Sequence, residues 1–309
     1  MKSIMYHYIQ PFNQKFKKFE FLHFKHFEKQ LNFFKKKYVF FDCYELFEKS
    51  NKLDKKIFLT FDDGLACHYD YVFKILKRNK INGIFYIPTL PFQKGKILDV
   101  HKIHLILGKI GPQKAFEELK KIIGRNKNFV DNKLKLKYEK KIYGEQKNYF
   151  FSRNFKSYLN YFIKKNYRPI VIKKLFRKVF QNNEKKICKN FYLNEKQINH
   201  MIKENMIIGS HSVNHKIMSE LSINKMKDEI NKSFDFINMF IKEKTFSYPY
   251  GGYHSFNKQI EKYLSKSNVS FSMNVENKDI SKNDLTKRRQ ALPRIDCNNF
   301  PYGQIYNKI

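Results

Sequence analysis

Two hydrophobic rhythms alternate along the chain. Short apolar runs that stop at polar or turn residues recur as "SIMYHYI", "KKIFLTFDDG", "INGIFYIPTL", "MIIGS", "TFSYPYGGY" and "VSFSMNV". Their length and their flanking Gly, Pro and Asp residues predict buried strands. Between them the apolar spacing is helical. "HFKHFEKQLNFFKKK" puts Phe24, Phe27, Leu31 and Phe34 on one stripe, and "HYDYVFKILKRNK" turns Tyr69, Val72, Phe73 and Leu76 inward. "YVFFDCYELFEKS" reads as a strand and a short helix. "LSINKMKDEINKSFDFINMFIKE" predicts a long helix with Ser222 as its N-cap, and "NKQIEKYLSKS" another helix. Strand, helix and strand in repeated succession predict an α/β fold with a parallel sheet.

Residues from about 96 to 190 break this rhythm. They are rich in Lys, Tyr and Asn, helical in pattern and without a clear strand. The expectation is one domain over residues 1–309 with a helical insertion at about 96–190. The insertion's aromatics (Tyr143, Tyr149, Phe150, Phe151, Tyr158 and Tyr161) could stack against sugar rings, but such spacing is more often that of a core.

Composition adds three constraints. Hydrophobic residues make up 42% of the 309 positions, enough for a packed core. The formal charge of +34 comes from 62 Lys+Arg against 28 Asp+Glu, yet only eight of these are Arg. A nucleic-acid reader uses Arg at its bidentate contacts, so nucleic acid is not the expected partner. Abundant Lys, Asn, Ile and Phe also fit AT-rich coding; either way the surface attracts anions, including anionic membrane. The four cysteines share no disulfide or zinc spacing and read as reduced thiols. "MKSIMYHYIQPF" has no apolar segment of signal-peptide type and no run reaches membrane-spanning length, so the expected location is cytoplasmic, with peripheral membrane contact allowed.

The chemistry-bearing residues fall at predicted strand ends. Asp62 and Asp63 follow "IFLTF", His211 and His215 follow "MIIGS", and Tyr250 follows "TFSYP". The carboxyl edge of a parallel sheet is where loops aim side chains at a common point. Alone, "DDG" equally fits a helix-capping turn, and "HSVNH" a pair of surface or capping histidines. Together, two imidazoles and a carboxylate make a divalent-cation site with open positions. Adjacent carboxylates repel, a cation relieves that cost, and neighbouring side chains diverge, so one Asp can ligate while the other stays free as a general base.

"TFDDG" followed much later by "HSVNH" resembles the polysaccharide deacetylase family of metal-dependent carbohydrate N- and O-deacetylases. "FSYPYG" resembles that family's third segment, "MYHYI" its first strand, and "LPRID" a late segment of one branch. The resemblance spans residues 1 to about 95 and about 191 to 300. It implies a distorted, incomplete (β/α) barrel, with Asp62 as catalytic base and Asp63, His211 and His215 holding a divalent metal ion, most often zinc. Thr60 and Ser212 would support them, and the Tyr250 backbone N–H would hold the oxyanion. The chain departs from the pattern at Ser247, where many members carry an Arg that steadies the base. Arg294 of "LPRID" is expected in that role, with Asp296 as its partner. No late histidine is present to act as the acid. His7 resembles the N-terminal His of the poly-N-acetylglucosamine deacetylase branch and is expected to protonate the leaving amine, with His254 as the fallback. His68 reads as a helix-start residue and Cys67 as packing.

The expected function is metal-dependent removal of an N-acetyl or other acyl group from an amino sugar in surface-glycan or envelope biosynthesis. The substrate would be a glycan or a nucleotide-linked or lipid-linked sugar. The alternatives are deformylation of a formamido sugar, or a degenerate binder of anionic glycan or membrane surface.

Overall fold

The computed structural model describes residues 1–48, 53–124, 127–138, 150–241 and 243–304. The chain separates into two compact units. Among the described residues, one comprises Met1–Pro11, Phe21–Lys96 and the chain from Cys188 onward, and the other Phe12–Glu20 and Ile97–Ile187.

The first unit holds a curled parallel sheet. Its strands are β1 (Lys2–Tyr6), β2 (Lys56–Phe61), β3 (Ile84–Ile87), β4 (Ile207–Ser210), β5 (Thr245–Ser247), β6 (Phe271–Met273) and β7 (Ile295–Asp296). They lie in the order β7-β1-β2-β3-β4-β5-β6, so only β7 departs from chain order. β7 pairs with β1 through Ile4 and Ile295, while Leu292, just ahead of it, bridges Met273 of β6. The segment from Leu292 to Asp296 therefore lies between the first and last strands of the chain-ordered sheet. This is a distorted, incomplete (β/α) barrel, as expected. A short strand, Val39–Phe40, pairs beside the start of β2.

The strands read as continuous apolar runs because both sheet faces are covered. Alternate residues sort to opposite faces. Ile57, Leu59 and Phe61 of β2 pack with the helices and with Phe85, Ile208 and Phe246. Phe58 joins Ile84, Tyr86, Ile207 and Phe271 on the other side. Each such side chain contributes about 1.5–3 kcal/mol on burial.

The helices follow the sequence with two differences. α1 (Phe24–Lys35) buries Phe27, Leu31 and Phe34. α2 (Glu195–Lys203) starts at a capping box between Asn194 and Gln197. α3 (Ile223–Ile237) does begin after Ser222, but the Ser222 side chain makes no capping hydrogen bond. α4 (Lys258–Lys266) is capped by Asn257. The segment after "DDG" opens as a π-helix over His68–Phe73 and becomes α-helical only at Lys74–Arg78.

The second unit is helical, with its longer helices at Asp99–Ile110, Pro112–Gly124 and Arg168–Phe180. Of the aromatics singled out there, Tyr161 is core and Phe150 is exposed. Tyr143 and Tyr149 lie outside the described residues. Among the described residues no helix is long and apolar enough to cross a membrane.

Candidate active site

Sharp backbone reversals at three strand ends build the site. After β2 the chain passes through Asp63 at φ +80° and Gly64 at φ +58°. A side chain at Gly64 would be strained at that φ and would press within 3.1 Å of Ile87. After β4, Ser212 and His215 are also left-handed, at φ +63° and +51°, and after β5 Tyr250 is at φ +66°. Elsewhere Lys80, Asn205 and Asn268 take this conformation just past helix ends, where it is ordinary. At the strand ends it costs roughly 1–3 kcal/mol per residue, the kind of strain that collects at working sites.

Local hydrogen bonds hold these turns. Ser210 Oγ accepts from the Ser212 N–H at 3.2 Å, and Ser212 Oγ accepts from the His215 N–H at 3.1 Å. From α3, the buried Glu229 carboxylate accepts the N–H groups of Val213 and Asn214 at 3.0 and 2.7 Å and the Asn214 side-chain amide at 2.5 Å. The loop between the two histidines is thus fixed from both sides.

Three donors converge. Asp63 Oδ1 lies 3.6 Å from His211 Nε2 and 3.5 Å from His215 Nε2, too long for hydrogen bonds. Ligand atoms of the three buried residues all lie within 4.8 Å of one another. A tetrahedral cation with bonds of about 2.0–2.1 Å sets its ligands about 3.3–3.4 Å apart, so the spacing suits such an ion. His211 Nδ1–H donates to the Ser247 carbonyl at 2.7 Å, which leaves the Nε2 lone pair facing Asp63. Burial pushes the His211 pKa down, against the pull of Asp62 and Asp63, and keeps the ring neutral, as a ligand must be.

Asp62 takes different hydrogen-bond partners, although its Oδ2 also lies 3.9 Å from His211 Nε2. Arg294 Nη1 and Nη2 donate to its two oxygens at 2.7 and 2.8 Å, and Ser247 Oγ donates at 3.2 Å. Three of roughly four lone-pair positions are taken, and the remaining one is on Oδ1. Burial pushes the Asp62 pKa up, but the charge and the hydrogen bonds of Arg294 outweigh it and hold the carboxyl at about 2. The guanidinium is wholly buried. It also donates to Thr60 Oγ1 at 3.2 Å, to Ser247 Oγ at 2.8 Å and, through Nε, to the Asn274 carbonyl at 3.0 Å.

The remaining expected residues divide. His7 follows β1 and is an electrostatic neighbour of Asp62. The Tyr250 ring lies 5.2 Å from the His215 ring. Thr60 accepts from Arg294, and Ser212 buttresses His215. His254 is exposed, with Glu220 as its charged neighbour. Asp296 is not the partner of Arg294: it caps the turn at Asn298, while the guanidinium turns to Asp62. Cys67 is buried, and burial pushes its thiol up to about 12. The sequence reading missed Ser247 as a hydroxyl partner, Glu229 and the buried role of His68. Glu229 had one signal, a lone acid on the apolar face of α3.

The polysaccharide deacetylase family profile matches residues 49–95 and 165–272, half of the chain. None of the curated proteins compared with the chain matches it in sequence. Among solved structures, Streptococcus pyogenes deacetylase PplD in complex with acetate is similar over 96% of this chain and 91% of its own, at 14% identity and TM-score 0.57. A de-N-acetylase from Aggregatibacter actinomycetemcomitans is similar over 95% and 93%, at 14% identity and TM-score 0.51. BC0361, a polysaccharide deacetylase from Bacillus cereus, is similar over 96% of this chain but 64% of its own length, at 14% identity and TM-score 0.53. At these identities the structural likeness speaks for the fold.

Proposed function

We propose that this chain, which belongs to the polysaccharide deacetylase family and is therefore an amide-bond hydrolase of the deacetylase type, removes an N-acetyl group from an amino sugar with the help of a divalent cation. The observation that carries this reading is the split between neighbours: Asp63 faces two imidazoles while Asp62 faces a guanidinium.

Asp63, His211 and His215 would hold the ion, with zinc the first choice for this donor set. When bound, the ion supplies Lewis-acid polarisation of the acetamide carbonyl and acidification of water. Asp62 stays ionised at any working pH and takes the proton of the attacking water on the free lone pair of Oδ1. Arg294 fixes the plane of that carboxylate and holds it in place as the proton arrives. The Tyr250 N–H would donate to the oxyanion, and its left-handed backbone supports that role by redirecting the peptide at the strand end. His7 would protonate the leaving amine. The wider setting we propose is assembly of a surface glycan, with a nucleotide-linked or lipid-linked sugar as substrate.

The test is acetate release from a panel of N-acetylated sugars, free, nucleotide-linked and lipid-linked, with and without chelator. One equivalent of metal and chelator-sensitive acetate release are expected. Formate release from formamido sugars instead would move the assignment to deformylation. Metal-loaded protein inert on the whole panel would overturn it.

A further inference from the structure

A fully buried histidine outside the ligand set bears on the site from behind. His68 opens the π-helical turn after "DDG" and has no solvent exposure. It packs against the stacked rings of Phe61 and Phe85, each with its centroid 5.8 Å away. Its Nε2–H donates to the His7 carbonyl at 2.8 Å, while Nδ1 has no hydrogen-bond partner among the described residues. A half-satisfied buried imidazole costs about 1–3 kcal/mol relative to a satisfied one. An apolar side chain would avoid that cost, so the one bond His68 makes is its distinguishing contribution.

That bond completes a series. At the end of β1 the Tyr6 carbonyl accepts from the Asp62 N–H at 3.0 Å, the His7 carbonyl from His68, and the Tyr8 carbonyl from the Leu22 N–H at 2.9 Å. The peptide carrying His7 is tied to the same loop that carries Asp62. π-Helical turns are uncommon and often mark functional positions; here the turn begins at the residue that makes the tie. Burial pushes the His68 pKa down to about 4, so the ring stays a neutral donor near neutral pH.

We infer that His68 is a positioning residue that sets the His7 imidazole against Asp62 through the His7 backbone. This rests on the proposed role of His7 as the acid.

The experiment is a double-mutant cycle on the zinc-loaded chain. His68→Leu fills the space without a donor, and His68→Gln restores an N–H near the Nε2 position. Displacing a catalytic group by about an ångström costs up to 10²-fold. His68→Leu should lower kcat roughly 10- to 100-fold with KM and metal content unchanged, and His68→Gln should recover most of it. In a His7→Gln background, His68→Leu should cost nothing further. The His7 ring signals in ¹⁵N-edited spectra should move in His68→Leu and return in His68→Gln, a readout that needs no turnover. If the two losses simply multiply, or the His7 signals stay put, His68 does not act through His7 and the inference fails alone. If His7→Gln keeps full activity, the acid assignment falls and this inference with it. Should His68→Leu not fold, His68→Met, which also lacks a donor, takes its place in the same cycle and the same outcomes decide.

Discussion

Arg294→Met removes the guanidinium from Asp62 while keeping most of its volume. Both side chains are almost wholly buried, so water cannot take the cation's place. The lowering of the Asp62 pKa from 3.8 to about 2 corresponds to about 2 kcal/mol of folding stability. For a lowered acid that stability is complete above pH 3.8 and lost as pH falls toward 2. Taking away the cation forfeits this and leaves the burial cost of the carboxylate unopposed, so the whole loss is about 3–5 kcal/mol. For a unit of this size that is a drop in melting temperature of roughly 6–20 °C, read by calorimetry on the metal-loaded protein. The Asp62 pKa should rise above its ordinary value, moving the acid limb of the rate profile to higher pH. Adding Asp62→Asn neutralises the stranded charge, so the double variant should melt above Arg294→Met while remaining inactive. A single variant that melts with the wild type and turns over at the wild-type rate would refute the reasoning that Arg294 holds the base.

Asp62→Asn alone should abolish acetate release yet retain one equivalent of metal, since Asp62 is not among the three converging donors; full activity would remove it from the base role. Glu229→Ala frees Val213, Asn214 and the loop between the histidines, and should weaken metal affinity about 10- to 100-fold by competition titration. Burial lowers the His68 pKa from 6.5 to about 4, so the unfolded chain takes up a proton that the folded one refuses, and acidification from pH 6.5 to 4 should cost about 3 kcal/mol of stability. His68→Leu should flatten the stability–pH curve in that window, measured by urea unfolding.

The resemblance to the deacetylases rested on "TFDDG" and "HSVNH" because such turns need particular residues at fixed spacings, and fixed spacing is what a sequence records. Continuous apolar runs likewise specified the strands, since a parallel sheet covered on both faces requires them, and helical apolar spacing specified most helices. Other features depend on residues that meet only after folding. Arg294 lies 232 positions from Asp62, and its choice of Asp62 over the nearby Asp296 follows from the place of β7 beside β1. Ser247 read as a missing arginine, but its small hydroxyl sits where a guanidinium from another strand arrives. His68 read as the start of a helix, because periodicity says which face is buried and nothing about which carbonyl a buried ring will meet. Glu229 became the clamp of the histidine loop only once α3 packed behind β4. The sequence alone determined the alternation of elements and the residue types at the strand ends, through local sterics and burial. Tertiary structure decided which distant polar groups pair, because inside a folded core a charge or donor must find its partner in space, however far away it lies in the chain.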